Sequence, residues 1–204
     1  MTEYTFTRDW FGSAPDVWPH LIPLLPERKA FLEIGSFEGR STVWTIENMM
    51  EDGGFIDCID TWQGSEEHGA EDMGSVEARF DDNVETAMRK YAHDDGARRW
   101  VSKLVGKSTD KLAILITQKD LYDFIYIDGS HVAKDVLTDA CMAWKLLKPK
   151  GVMVFDDYMW GDPRDILHRP KPAIDAFCNL FAEEAEIVHV GYQLVVRKKE
   201  GAIT

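Results

Sequence analysis

The sequence predicts an α/β fold: a Rossmann-like, doubly wound, seven-stranded, mostly parallel sheet with a C-terminal antiparallel hairpin and helices on both faces. Three observations carry this. Short apolar runs alternate with longer helical stretches along the 204 residues, which implies β-α-β units joined by right-handed crossovers. The first five runs are nearly continuous in apolar residues, as in strands covered on both faces. The last two are separated by little more than Gly191, and strands that close together pair only as an antiparallel hairpin.

In chain order, the expected strands are Ala30–Gly35, Phe55–Asp60, Trp100–Val105, Tyr122–Asp128, Gly151–Asp156, Glu186–Val190 and Tyr192–Arg197. Helical patterns fall between them. Arg40–Met50 follows Gly39, and Val76–Tyr91 repeats its apolar residues at helical spacing. Thr109–Thr117 is shorter. Val132–Leu147 carries one apolar face and is stopped by Pro149 and Gly151. Pro172–Ala182 opens on a proline, which suits a first turn. Residues 1–29, with a short helix at Asp16–Leu25, read as an N-terminal cap on a single domain spanning 30–204. The polar segments Gln63–Ser75 and Tyr158–Lys171 follow carboxyl ends of strands, where such folds build their sites, and read as lids.

The bulk composition narrows the partners. A net charge of -13 leaves no basic surplus to displace phosphate counterions, which argues against nucleic acid. Lys145, Lys148 and Lys150 are the candidates for a local basic patch, and their plainer reading is a solvated helix end. Three well-separated cysteines fit reduced, buried thiols in a cytoplasmic protein. No basic start followed by an apolar run suggests a signal peptide, and no apolar run is long enough to span a bilayer. A membrane partner is not expected, and a homo-oligomer is left open.

The first chemical motif is Phe31-Leu-Glu-Ile-Gly-Ser-Phe-Glu-Gly-Arg-Ser41, a strand entering a tight turn and then a helix. A dinucleotide site wants a middle glycine so that the backbone can touch pyrophosphate. Here that position is Phe37, between Gly35 and Gly39, which argues against a nicotinamide-dependent oxidoreductase. Glu33, near the strand end, suits a cationic amino group such as the ammonium of S-adenosylmethionine; alternatively it pairs with a local lysine. Asp60 stands 25 positions after Gly35, near the offset at which such folds hold ribose hydroxyls. A carboxylate there accepts two charge-assisted hydrogen bonds from a vicinal diol. Trp62 is placed to lie against adenine or simply to pack. Ser108 either edges the adenine pocket or caps the next helix.

The second motif is acidic. Tyr126-Ile-Asp-Gly-Ser-His131 ends the fourth strand and Phe155-Asp-Asp-Tyr158 the fifth. Asp128, Asp156 and Asp157 would then converge at one rim. Two like charges 4 Å apart at an effective dielectric near 20 repel by about 4 kcal/mol, so the cluster wants a proton, a base or a metal. Oxygen ligands favour Mg²⁺ first. The plainer reading has Asp156 and Asp157 pointing opposite ways, so that only one enters the site.

On these residues the chain resembles the class I S-adenosylmethionine-dependent methyltransferases, and more narrowly the metal-dependent small-molecule O-methyltransferases of the sugar and catechol type. The resemblance spans about residues 28–197. It rests on E-I-G-S-F-E-G-R-S at 33–41, Asp60, Y-I-D-G-S-H at 126–131 and L-L-K-P-K-G-V-M-V-F-D-D-Y at 146–158. It implies S-adenosylmethionine as cofactor, with Glu33, Gly35, Ser36, Gly39 and Ser41 around its methionine part and Asp60 on the ribose. It implies Mg²⁺ on Asp128, Asp156 and Asp157, and a small-molecule hydroxyl as acceptor. Phe37 departs from the commoner loop. Ser130 stands where some sugar methyltransferases have an acidic base, which makes His131 the candidate base. A protein of the same fold that binds the cofactor without turnover is the rival from another class.

Overall fold

The computed structural model describes residues 4–64, 72–91, 98–119, 121–161 and 165–201. Its seven strands are β1 (Ala30–Ile34), β2 (Phe55–Asp60), β3 (Trp100–Val105), β4 (Tyr122–Ile127), β5 (Leu147–Phe155), β6 (Ala185–Val190) and β7 (Leu194–Lys198). They form one sheet in the order β3-β2-β1-β4-β5-β7-β6. Neighbours from β3 to β5 are parallel, and β7 runs antiparallel to both β5 and β6. This is the fold class predicted from the sequence.

The helices are α1 (Ala14–Val17), α2 (Arg40–Trp44), α3 (Met73–Lys90), α4 (Ser108–Gln118), α5 (Ala133–Trp144) and α6 (Lys171–Leu180). They cover both faces. One core layer joins Leu112 and Leu115 of α4, Val136, Ala140 and Trp144 of α5, and Ile174 and Phe177 of α6 to the sheet. The other joins Trp18, Ile46, Val76, Phe80 and Val84 to Phe31, Phe124, Tyr126 and Val154. Burial on both sides explains why the central strands read as unbroken apolar runs.

The element boundaries differ from expectation where proline and turn chemistry intervene. The N-terminal helix expected at Asp16–Leu25 is α1 followed by single tight turns at Trp18–His20 and Ile22–Leu24, each opening on a proline in its first two positions. Proline has no amide to continue a helical ladder. Arg40–Met50 begins as α2 and finishes as a wide π turn at Thr45–Met49. α5 stops at Trp144, and Lys148, Pro149 and Lys150 belong to β5. The ladder between β4 and β5 shifts register there, and a shifted ladder is where a strand tolerates proline. Lys148 and Lys150 are therefore not at a helix end, whereas Lys145 caps the carboxyl end of α5. Lys148 reaches Asp123 (2.9 Å) and Glu27 (3.2 Å), and Lys150 pairs with Glu200 (2.9 Å).

The sheet order places the site. β1 pairs with β2 on one side and β4 on the other, so successive connections leave β1 in opposite directions. Ligands of doubly wound sheets bind in the crevice outside the carboxyl ends at that switch point.

Candidate active site

A cavity of about 1130 Å³ opens at this switch point. Ligand pockets typically run to roughly 1,000 Å³ at the upper end, so this cavity is a large one. Its rim follows the strand order. Gly106, Ser108 and Thr109 lie at the β3 end, Asp60 and Thr61 at β2, and Gly35 and Phe37 at β1. Asp128 and His131 follow at β4, and Asp157 and Trp160 at β5. The N-terminal segment closes the front with Asp9, Trp10 and Ser13.

The loop after β1 is folded by close packing. Gly35 has φ +88°, and a Cβ there would sit 2.0 Å from the Asp128 carbonyl oxygen. Only glycine lets β1 and β4 approach so closely at their tips. Phe37 also adopts a left-handed backbone (φ 46°). Its ring lies 4.7 Å from that of Trp10, so the side chain that replaces a glycine fastens the N-terminal segment. Asp60 then ties two loops together: its Oδ2 accepts the Ser36 and Phe37 N–H groups (2.9 Å each), and its Oδ1 accepts the Trp62 N–H (2.8 Å).

Other residues singled out from the sequence sit behind this wall. Glu33 is 1% exposed and does not line the cavity. Its carboxylate accepts hydroxyls of Ser36 (2.8 Å), Ser41 and Thr42, and burial raises its pKa. The carboxylate faces these hydroxyls and not the cavity, and among the described residues it pairs with no lysine. Ser36 and Ser41 face a side crevice of about 40 Å³ that shares Gly35, Phe37 and Asp128 with the main cavity. Gly39, with φ +78° and Phe80 2.9 Å from an added Cβ, starts α2 and packs on α3. Trp62 donates its indole N–H to the Phe37 carbonyl (2.9 Å) and packs on Phe80 (4.8 Å). It is buried and does not line the cavity. Ser108 does line the cavity.

At the opposite end, Asp128, His131 and Asp157 bring one ligand atom each within 4.8 Å of one another. His131 Nε2 is 2.5 Å from Asp157 Oδ2, and Tyr192 donates to Asp157 Oδ1 (2.7 Å). The Trp160 ring stands 4.3 Å from the imidazole. Asp156 points away. It is 7% exposed, accepts from Tyr126 and from Gln193 (3.2 Å), and Gln193 in turn accepts the Trp18 indole N–H (2.9 Å). The three-aspartate cluster is thus two aspartates and a histidine. The backbone reason is Asp157, whose left-handed φ of 56° ends the strand alternation.

Electrostatics mark this end. Burial, then the charges of Asp156 and Asp157, pushes the Asp128 carboxyl well above the usual carboxylate range. Burial and Asp157 raise Asp156 to about 6. Tyr126, which sequence reasoning passed over as part of an apolar strand, places its hydroxyl between Asp128 (3.0 Å) and Asp156. Asp139 was also missed. It lies on α5 among helix-patterned residues, is 3% exposed, and lines the cavity. Neither had a signal beyond a polar group at a position the pattern buries. Residues 65–71 and 162–164, parts of the two expected lids, lie outside the described residues.

Residues 32–158 match the methyltransferase-domain family. The chain belongs to that family. Solved structures agree on the fold of this S-adenosylmethionine-dependent methyltransferase. An O-methyltransferase from Bacillus cereus in complex with S-adenosylhomocysteine is 21% identical over 95% of this chain and 84% of its own, with a TM-score of 0.65. The O-methyltransferase TomG from Streptomyces achromogenes, involved in tomaymycin synthesis and solved with S-adenosylmethionine, is 22% identical over 92% and 81% (TM-score 0.65). MycE, a methyltransferase of the mycinamycin pathway in complex with Mg, S-adenosylhomocysteine and mycinamycin VI, is 16% identical over 97% of this chain and 51% of its own (TM-score 0.58). No curated protein sequence matches the chain significantly.

Proposed function

We propose that this methyltransferase methylates a hydroxyl group of a neutral or cationic small molecule, assisted by a divalent cation, Mg²⁺ first. One observation carries the reading: a single cavity runs from Asp60 to the Asp128, His131 and Asp157 cluster. The donor set suits a hard cation. The Asp128 and Asp157 carboxylates are acceptable to Mg²⁺ or Mn²⁺, and a cation would relieve the charge repulsion that, after burial, raises Asp128. The Mg-bound MycE complex with a small-molecule substrate supports the same choice. When bound, S-adenosylmethionine supplies an electrophilic methyl group, and the cation lowers the pKa of the acceptor hydroxyl.

The chain's own residues divide the remaining work. Asp60 accepts from the ribose hydroxyls while its amide contacts keep the β1 loop in place. Glu33 holds Ser36 and Ser41 from behind at the methionine end. Asp128 and Asp157 hold the cation, and His131 takes the proton of the acceptor hydroxyl, oriented by Asp157 and Trp160. Alignment of donor and acceptor in one cavity supplies much of the rest. Acids on the cavity wall (Asp9, Asp60, Asp128, Asp135, Asp139, Asp157) far outnumber Lys107, which disfavours phosphorylated acceptors and nucleic acid. The free cysteines Cys58, Cys141 and Cys178 support a reducing, cytoplasmic setting, and no helix among the described residues is long and apolar enough to cross a membrane.

Calorimetry with S-adenosylhomocysteine tests the first half: Asp60→Ala is expected to abolish binding. His131→Gln tests the second. As the base, it loses turnover that returns as the pH is raised, with Mn²⁺ affinity unchanged. A parallel fall in Mn²⁺ affinity would instead make His131 a third ligand of the cation. Full turnover in excess chelator would remove the cation from the scheme.

A further inference from the structure

We propose that residues 5–10 form a strap across the cavity mouth that lifts to exchange the cofactor, and that Glu38 is the positioning residue that latches it. The inference rests on the S-adenosylmethionine reading and goes beyond it, from what the site holds to how the site opens. Residues 4–10 form neither helix nor strand; side chains of the domain hold them instead. The Glu38 carboxylate accepts both the Thr7 N–H (2.6 Å) and the Thr7 hydroxyl (2.7 Å). Asn83 of α3 brackets Thr5, accepting its N–H and donating to its carbonyl (2.8 Å each). Downstream, Phe11 is buried against Trp18, with ring centroids 4.9 Å apart. Between these fixed ends the chain crosses the front of the cavity. Asp9 and Trp10 line it, and Arg8 and Trp10 line the side crevice.

Latch and strap differ in burial. Glu38 is 1% exposed and also pairs with Arg79, while Asn83 also donates to the Glu38 carbonyl (2.9 Å), so the latch is fixed to the domain. Trp10 is 52% exposed, and Thr5, Thr7, Arg8 and Asp9 are exposed as well. Lifting the strap therefore uncovers little apolar surface and breaks few hydrogen bonds. Segments of that kind open locally well before the domain unfolds. The β1 loop connects the motion to the ligand. Phe37 gives its N–H to Asp60 Oδ2 (2.9 Å) and sets its ring against Trp10 (4.7 Å), and the next residue is the latch. One side of the loop meets the ribose end of the cavity, and the other carries the strap. A cofactor seated at Asp60 is enclosed by Asp9 and Trp10, and its release requires the strap to lift. The plainer role, a fixed wall, would open only with the core.

The test is hydrogen exchange of the full chain, read by NMR at the Thr5 and Thr7 amides, as S-adenosylhomocysteine is titrated in. In the free protein both amides are expected to exchange faster than those of Phe124 and Ile125 in β4. If the lifted strap cannot hold the ligand, both should slow with its concentration, by about 100-fold at about 100 times Kd. Thr7→Ala removes one hydrogen bond to a carboxylate from the exposed side and leaves the buried Glu38 and Arg79 pair in place. It is expected to speed Thr5 exchange and S-adenosylhomocysteine dissociation by about 10-fold each, with the β4 amides unchanged. Slowing of the wild-type strap by under about 3-fold at saturation overturns the proposal. So does dissociation that Thr7→Ala leaves unchanged, or equal acceleration of the β4 amides, which would be general loosening. The wild-type titration needs no variant to fold. If the wild type does not bind S-adenosylhomocysteine, the S-adenosylmethionine reading falls and takes this one with it; tight binding with strap exchange indifferent to the ligand sinks this one alone.

Discussion

Asp139 sits where its charge is unfavourable. Burial, opposed by Ser108 and reinforced by the charge of Asp135, raises its pKa to about 6. Because the folded value lies above the unfolded one, the folded state binds the extra proton between about pH 4 and pH 6. Below that window the group is neutral in both states and has no effect. As pH rises through it stability is lost, and above it the loss is constant, at up to about 3 kcal/mol. Asp139→Asn removes the titration. In urea unfolding its advantage over the wild type should grow by about 2 kcal/mol between pH 4.5 and pH 7.5; an advantage independent of pH would contradict this. Gly35 carries the opposite expectation. With the Asp128 carbonyl oxygen 2.0 Å from an added Cβ and φ at +88°, Gly35→Ala cannot be absorbed by moving a side chain. It should destabilise by more than about 4 kcal/mol, seen as a collapsed melting temperature or failure to fold.

The tips of β4 and β5 act as a unit, and Tyr126 is its link. Its hydroxyl touches both Asp128 and Asp156, while Gln193 and Trp18 hold Asp156 from behind. Tyr126→Phe should therefore leave S-adenosylhomocysteine affinity within about 3-fold and weaken Mn²⁺ binding by about 10-fold or more, as removal of an outer partner of a metal ligand does. Titration calorimetry with each ligand separates the two effects, and equal losses in both would mean general loosening instead. The same strand tips show what a sequence discloses. The strands themselves were legible, because burial on both faces writes a continuous apolar run. The direction of each acid beyond the last strand residue was not. Asp156 and Asp157 read alike in sequence, and the left-handed turn at Asp157 decides which enters the cavity. The surroundings of Glu33 were hidden for a related reason: its alternation within β1 was readable, but the three hydroxyls that enclose it come from the loop and α2. Proline positions likewise decided what pattern alone could not, breaking the N-terminal helix and drawing Lys148 and Lys150 into β5.

Across the whole molecule the charge is strongly one-sided, and the cavity shares the bias. The chain carries a net charge of -13, and its cavity wall repeats the sign. S-adenosylmethionine bears one net positive charge, whereas S-adenosylhomocysteine is a neutral zwitterion of nearly the same shape. The long-range field of the protein therefore acts on the methyl donor and barely on the spent product. Salt shortens the reach of that field from about 10 Å at 0.1 M to about 3 Å at 1 M, while contacts inside the cavity are screened much less. Raising NaCl from 0.05 M to 0.5 M should slow S-adenosylmethionine association several-fold, as expected for electrostatic steering, and leave S-adenosylhomocysteine association within about 1.5-fold. Stopped-flow tryptophan fluorescence with both ligands measures the difference directly. Equal salt dependence would mean that the acids around the cavity act only at contact range, as hydrogen-bond acceptors and cation ligands, and that the surplus charge of the surface does nothing to draw the donor in.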